Sequence, residues 1–290
     1  MPFADLIQTL TLKRMEKTWM QNLAENLSLI RGSHDISDIP KLTGKPALIV
    51  GAGPSTKNID FKKLRNWKGV VFSCDRMLPT LIKNRVTPSF ATTVDADAKV
   101  ADFYGQVSKE KLARVKVVLN QTVNPLTLEK IPPESLYFFV GYWDDPFAAV
   151  SMTRIFQELT GKTILSTGGN TGSASWNLAY FLGCNPIGLL GIDFCYSSMD
   201  VQKSTYFETF KILSGGDPQK FLEYYRQGTT WAGKKVLTDQ MFLTYYHLLA
   251  QQLEQAKQKT TTYNLGEYSI LEEGKAKPMK LERFLSAFSQ

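Results

Sequence analysis

The feature that most constrains this chain is an apolar run ending in small residues, Pro46-Ala47-Leu48-Ile49-Val50-Gly51-Ala52-Gly53-Pro54-Ser55. Four apolar residues without alternation fit a strand covered on both faces, and so a parallel sheet. A Gly-x-Gly turn directly after such a strand reverses the chain tightly and lets a ligand reach the amides without meeting a Cβ. A phosphate there is expected to meet unpaired N–H groups and the positive end of a helix dipole. The motif departs from the standard fingerprints. Thr56 stands where a dinucleotide-binding loop has its third glycine, and no Gly-Lys-Ser/Thr follows. Pro54 and Ser55 suit one phosphate or a ribose. A purely structural turn is the rival reading.

Downstream, strands and helices alternate. Strands are predicted at Ala47–Val50, Val70–Ser73, Phe90–Val94, Val115–Leu119, Leu136–Val140 and Ile187–Leu190. Helices are predicted at Phe61–Trp67, Leu78–Asn84, Ala98–Gln106, Phe147–Leu159, Ser173–Leu182 and Asp239–Gln258. This order predicts an α/β fold: a Rossmann-like, mostly parallel sheet with helices on both faces and right-handed crossovers. Before it, Leu6, Leu10, Trp19, Leu23, Leu27 and Ile30 recur at helical spacing and predict an amphipathic cap. Residues 199–232, rich in aromatics and broken by Gly215-Gly216-Asp217-Pro218, read as an irregular lid. The expected organisation is a helical cap at 1–40, a nucleotide-binding core at 41–198, and a lid, long helix and tail at 199–290.

The 290 residues are 43% hydrophobic and 21% charged, the balance of an ordered globular protein. No apolar run is long enough to span a bilayer, and charges interrupt the N-terminus where a secretory signal would be apolar, so a cytoplasmic setting is expected. The net charge of +7 suggests an anionic partner. Its two lysine and arginine clusters, at 62–68 and 109–116, lack interleaved aromatics and read as solvated helix faces rather than a nucleic-acid surface. Cys74, Cys184 and Cys195 have no paired spacing, which argues against disulfides and zinc.

Acidic residues follow the predicted strands: Asp75 and its neighbour Arg76, then Asp95 and Asp97, then Asp193. The carboxyl ends of parallel strands share one edge, where ligands bind. Carboxylates there can hold ribose hydroxyls, ligate Mg²⁺ or act as a general base; helix capping is the alternative. A second small-residue stretch, Thr167-Gly168-Gly169-Asn170-Thr171-Gly172, is expected to face the first loop and close a phosphate or base pocket. Tyr196 and Tyr206 are candidate oxyanion or phosphate contacts. His247, in the long predicted helix, is the one histidine placed to carry a proton, since His34 falls in a polar linker. No Gly-x-Ser-x-Gly elbow exists, so a hydrolase triad is not expected.

Taken together, Gly51-Ala52-Gly53-Pro54-Ser55, Cys74-Asp75-Arg76, Thr93-Val94-Asp95, Gly168-Gly169-Asn170 and Gly191-Ile192-Asp193 with Tyr196 resemble the bacterial motility accessory factors. These in turn resemble archaeal 6-hydroxymethylpterin diphosphokinases and, in the core, bacterial sialyltransferases. Glu25-Asn26-Leu27, Thr238-Asp239 and the segment from Met279 to Leu285 fit the same pattern, so the similarity runs from about Trp19 to about Leu285. The resemblance implies transfer of a nonulosonic sugar from a CMP donor to a glycan or protein acceptor such as flagellin. Under it, residues 51–55, Asp75, Arg76 and 167–171 bind nucleotide, Asp95 or Asp193 is catalytic, and Tyr196, Tyr206 and His247 contact substrate. The diphosphokinase alternative implies ATP, with Asp95, Asp97 and Asp193 as Mg²⁺ ligands; a non-catalytic nucleotide-binding module is a third reading. No tightly bound cofactor is expected, and a homo-oligomer is compatible. The chain is shorter than a full motility accessory factor, which leaves the acceptor open, and it lacks a clear histidine where sialyltransferases have a base.

Overall fold

The computed structural model describes residues 3–272 and 274–289, with side chains from Arg14 onward; Leu6 and Leu10 lie outside that set. The chain opens with a long helix, α1 (Phe3–Gly32), and a short strand, β1 (His34–Asp35). Next come β2 (Ala47–Val50), β3 (Val70–Cys74), α2 (Leu78–Lys83), β4 (Phe90–Thr93), α3 (Val100–Gly105), α4 (Lys109–Leu112) and β5 (Lys116–Asn120). They are followed by α5 (Pro125–Leu128), β6 (Leu136–Gly141), α6 (Met152–Thr160), β7 (Ile164–Leu165), α7 (Thr171–Phe181) and β8 (Ile187–Leu190). The remainder is α8 (Phe207–Leu213), α9 (Pro218–Glu223), β9 (Tyr225–Thr229), β10 (Lys235–Asp239), α10 (Gln240–Ala256), β11 (Thr262–Asn264), β12 (Lys277–Pro278) and α11 (Leu281–Ala287).

Ten strands form one sheet in the order β1-β6-β5-β4-β3-β2-β8-β11-β12, with β7 beside β6, and every pairing is parallel. All residues of β2, β3, β4 and β8 are buried. Their mostly apolar character, interrupted by buried Ser73, Thr92 and Thr93, follows from being covered on two sides. One face packs Phe72, Phe90, Val118 and Phe139 against Trp176 and Leu178 of α7 and Leu249 and Leu253 of α10. The other packs Ala91, Val117 and Phe138 against Leu78, Tyr104 and Phe156, and Leu48 and Val71 against Leu281 and Phe284 of α11. The chain fills the sheet outward from β2 to β6, then returns to the other side of β2 for β8. In parallel sheets of this kind the ligand crevice lies at such a reversal, here at the carboxyl ends of β2 and β8.

The structure departs from the sequence expectation in several elements. No strand was expected past Leu190, yet β11 pairs with β8, placing Thr262 opposite Ile187 and Asn264 opposite Leu189. Three residues are too few to display a period. The helix expected from Phe147 starts instead at Met152, because the Ser151 side chain accepts the Arg154 amide and caps it there. Phe61–Leu64 is a 3-10 turn capped by Asp60, not a helix through Trp67. The lid resolves into α8, α9 and the antiparallel β9–β10 hairpin around an aromatic cluster of its own, in which Phe210 stacks on Tyr224 at 4.7 Å.

Candidate functional site

The loop after β2 is braced against the loop after β8. The Gly51 amide donates to the Leu190 carbonyl (2.8 Å) and the Gly53 amide to the Gly191 carbonyl (2.9 Å). The Ser55 amide donates to Asp193 Oδ2 (2.7 Å) and its hydroxyl to Asp193 Oδ1 (2.9 Å), while Ser55 Oγ accepts the Tyr268 amide (2.9 Å). A Cβ on Gly53 would stand 2.5 Å from Asp193 Oδ2, so only glycine admits that carboxylate. The amides of Gly51, Gly53 and Ser55 are therefore engaged rather than open to a phosphate. Pro54–Thr56 makes a single 3-10 turn and brings no helix dipole. Exposed Ala52 is the part of this loop that faces outward.

An open helix N-terminus comes from the second stretch. Gly168 (φ +56°) and Gly169 (φ +78°) take left-handed conformations, and Asn170 caps α7 by accepting the Ser173 amide at 3.0 Å. The amides of Thr171 and Gly172 have no partner among the described residues. A Cβ on Gly169 would stand 2.6 Å from Cδ1 of Tyr245, so the glycine pair passes beneath an α10 ring. A Cβ on either Gly51 or Gly172 would strike Cδ1 of Ile192. The two small-residue loops thus meet around one side chain, at the sheet's reversal point.

The acidic residues divide by environment. Asp193 is 2% exposed, and burial pushes its carboxyl up to about 6 against the lowering effect of the Ser55 bonds. Asp75 is buried too; it accepts the Arg76 amide (2.6 Å) and the Thr93 hydroxyl (3.2 Å), which also meets the Tyr104 phenol (2.9 Å). Burial raises Asp75 to about 6, and the charge of Asp95 adds to the rise. Asp95 and Asp97 are exposed: Asp95 Oδ1 accepts the Asp97 amide (3.0 Å), and Asp97 Oδ1 accepts the Lys99 amide (2.9 Å). Asp75 and Asp95 share one end of the cleft, with exposed Arg76 beside them, its guanidinium 5.7 Å above the Phe103 ring. Among the described residues no three of His, Cys, Asp and Glu gather into a metal-binding group, so Asp95, Asp97 and Asp193 do not form one ligand set.

The lid closes the other side. The Tyr196 phenol donates to Asp239 Oδ2 (2.7 Å) and accepts the Thr205 amide (3.1 Å), tying the start of the lid to the first residue before α10. Asp239 is fully buried; it caps α10 through the Phe242 amide, and burial raises its carboxyl. The Tyr206 phenol lies 3.5 Å from that of Tyr245, and Asp95 and Asp239 both act electrostatically on Tyr245. His247 is exposed against Tyr246, two residues along α10 from Tyr245 and so about 200° around the helix. Sequence reasoning missed Asp239 and Tyr245 as site residues. The signal for Asp239 was its place directly before a helical run, where Asp caps.

The three cysteines are free and buried, and burial pushes the Cys184 thiol up to about 12. A cavity of about 290 Å³ lined by Tyr180, Phe181, Gly183, Cys184, Lys259 and Thr260 lies at the amino ends of β8 and β11, away from the crevice. No described helix is long and apolar enough to cross a membrane.

The fold is similar to that of the MAf glycosyltransferase from Magnetospirillum magneticum AMB-1, with a TM-score of 0.60 and 15% identity over 89% of this chain. The match covers 38% of that longer chain. The sialyltransferase CstII from Campylobacter jejuni, solved with cytidine-5'-monophosphate, aligns over 81% of this chain and 84% of its own at 16% identity, with a TM-score of 0.39. At 15% identity the likeness to the MAf glycosyltransferase is one of fold. No curated protein matches the sequence. The family model described as 6-hydroxymethylpterin diphosphokinase MptE-like matches residues 17–199, a span holding both small-residue loops, Asp75, Asp95 and Asp193. Matched over more than half its length, the chain belongs to the MptE-like family.

Proposed function

We propose that this protein is a nucleotide-dependent transferase that moves a sugar from a nucleotide-activated donor of the CMP type to a glycan or protein acceptor in the cytoplasm. The observation that carries the reading is the meeting of the two small-residue loops around Ile192 at the point where strand order reverses. The donor phosphate sits at the N-terminus of α7, where the Thr171 and Gly172 amides and the helix dipole receive an anion. The nucleoside lies along Ala52 toward Asp75 and Arg76. The Tyr206 and Tyr245 phenols line the lid side, and Asp95, exposed beside them, is the base for the acceptor hydroxyl. Asp193 braces the first loop from beneath. Rate enhancement comes from positioning and from stabilising the departing phosphate. The fold shared with the MAf glycosyltransferase supports this reading.

The family description and the exposed pair Asp95 and Asp97 favour one second reading, diphosphate transfer from ATP to a pterin. Two exposed carboxylates fit an Mg²⁺ shared with substrate phosphates, and the ion when bound would neutralise their charge. The test is thermal shift of the purified protein with CMP, CDP, UDP, GDP, ADP and ATP, each with and without Mg²⁺. Stabilisation by CMP without metal is the expected result. Stabilisation by ATP only with Mg²⁺ replaces it with diphosphate transfer. Binding without turnover of a donor in the presence of acceptors leaves a nucleotide-binding module.

A further inference from the structure

The carboxyl end of β5 carries three successive side chains with unused hydrogen-bonding capacity. Asn120 is 2% exposed, and Gln121 and Thr122 are fully buried. Asn120 Oδ1, Gln121 Nε2 and Thr122 Oγ1 nevertheless have no partner among the described residues, and neither has Thr92 Oγ1 on the adjacent β4. Thr92 pairs in register with Val118, so Asn120, two residues further along, shares its face of the sheet. That face is the one covered by α7 and α10. Buried polar atoms without partners are costly, and a concentration of them on neighbouring strand ends calls for a ligand that supplies the bonds.

The turn that follows is held in place from an unexpected direction. Asn22 and Asn26 of α1, one helical turn apart on the same side, are 6% and 4% exposed. The Asn22 amide nitrogen donates to the Thr122 carbonyl (2.9 Å) and to the Ala96 carbonyl (3.2 Å); Asn26 donates to the Val123 carbonyl (2.8 Å). One amide therefore joins the turn after β5 to the turn between Asp95 and Asp97. Next to it, Gln121 Oε1 accepts the Gly141 amide (3.0 Å), which fixes that side chain with its nitrogen unused.

From this we infer that the end of β5 is a subsite for the uncharged, hydrogen-bonding part of the substrate, with Asn22 the positioning residue that sets its distance from Asp95. An amide oxygen accepts, an amide nitrogen donates, and two hydroxyls do both, so the complementary group carries donors and acceptors without charge: hydroxyl and acylamino substituents of a transferred sugar. The inference rests on the transferase reading and adds to it which strand end reads the group that moves.

Thr122→Val tests it, because it removes the partnerless hydroxyl and keeps the shape. Calorimetric titrations would use CMP and CMP-N-acetylneuraminate as probes on the full chain. We expect an unchanged or raised melting temperature, unchanged CMP affinity, and about tenfold weaker binding of the sugar nucleotide, the loss expected for one hydrogen bond. Thr122→Ser, which restores the hydroxyl, is expected to restore affinity; Thr92→Val is the second variant, with the same expected signs. Wild-type binding that both valine variants leave intact overturns the subsite and makes these atoms a place for internal water only. A wild-type protein that binds neither probe overturns the transferase reading, and the subsite with it.

Discussion

Ser55 gives both its amide and its hydroxyl to the single carboxylate of Asp193, at 2.7 and 2.9 Å, and so locks the loop after β2 to the loop after β8. The two strands are neighbours in the sheet but far apart in the chain, and this pair of bonds sets the floor of the crevice.

Asp193→Ala leaves two half-buried donors of Ser55 without their acceptor. The expected loss is about 3 kcal/mol of unfolding free energy, measured by urea titration. Asp193→Asn keeps one acceptor oxygen and offers an N–H to Ser55 Oγ, so a smaller loss is expected.

Buried Asp75 and Asp193 hold their protons up to about pH 6, against an ordinary value near 4. Through that window the folded state binds the extra protons, so stability falls as pH rises from about 4 to about 6 and levels off above. Each group's full contribution is on the order of 3 kcal/mol. Asp35 and Asp144, whose carboxyls are lowered by hydrogen bonds, act oppositely, losing stability as pH falls below about 4. The difference between wild type and Asp193→Asn isolates the effect: whatever their offset, the wild-type melting temperature should fall relative to that of the variant as pH rises from about 4 to about 6, and the difference should stay constant above.

Gly169→Ala forces a left-handed residue to carry a Cβ that meets the Tyr245 ring. A cost of about 2–4 kcal/mol is expected from the strained backbone and the overpacking together. Nucleotide affinity should fall with it, because the first turn of α7 shifts; titration of the folded fraction separates the two effects.

Tyr196→Phe removes the phenol that holds Asp239 and the Thr205 amide. The expected change is a loss of about 1–2 kcal/mol and faster limited proteolysis within residues 199–232, read by mass spectrometry of the fragments.

The parallel core was legible because its strands are rich in apolar residues and end in or lead into Gly, Asp or Asn, and Ala47–Val50 and Ile187–Leu190 fall where the pattern puts them. β11 and β12 were not legible. They are three and two residues long, and the pairing of β11 to β8 and of β12 to β11 is decided by tertiary packing rather than by local pattern. At the site, the spacing of small residues pointed to both loops, but not to which amides stay open. The partners of Gly51, Gly53 and Ser55 lie on another strand, and no local rule assigns them. The polar strand end at Asn120–Thr122 escaped notice because it reads as an ordinary β-to-loop transition; only burial without partners distinguishes it.

The lid leaves the core at Tyr196 and comes back at Leu237, and those two residues are bonded to each other through both backbone groups, at 2.7 and 3.2 Å. Thr238 fastens the same junction to the Phe194 carbonyl. A segment whose ends are stitched together behaves as a cassette: lengthening it adds little closure entropy, and replacing it leaves strand register untouched. Exchanging the cassette would thus change what stands over the carboxyl ends of β2 and β8 while leaving those strands and their loops unaltered.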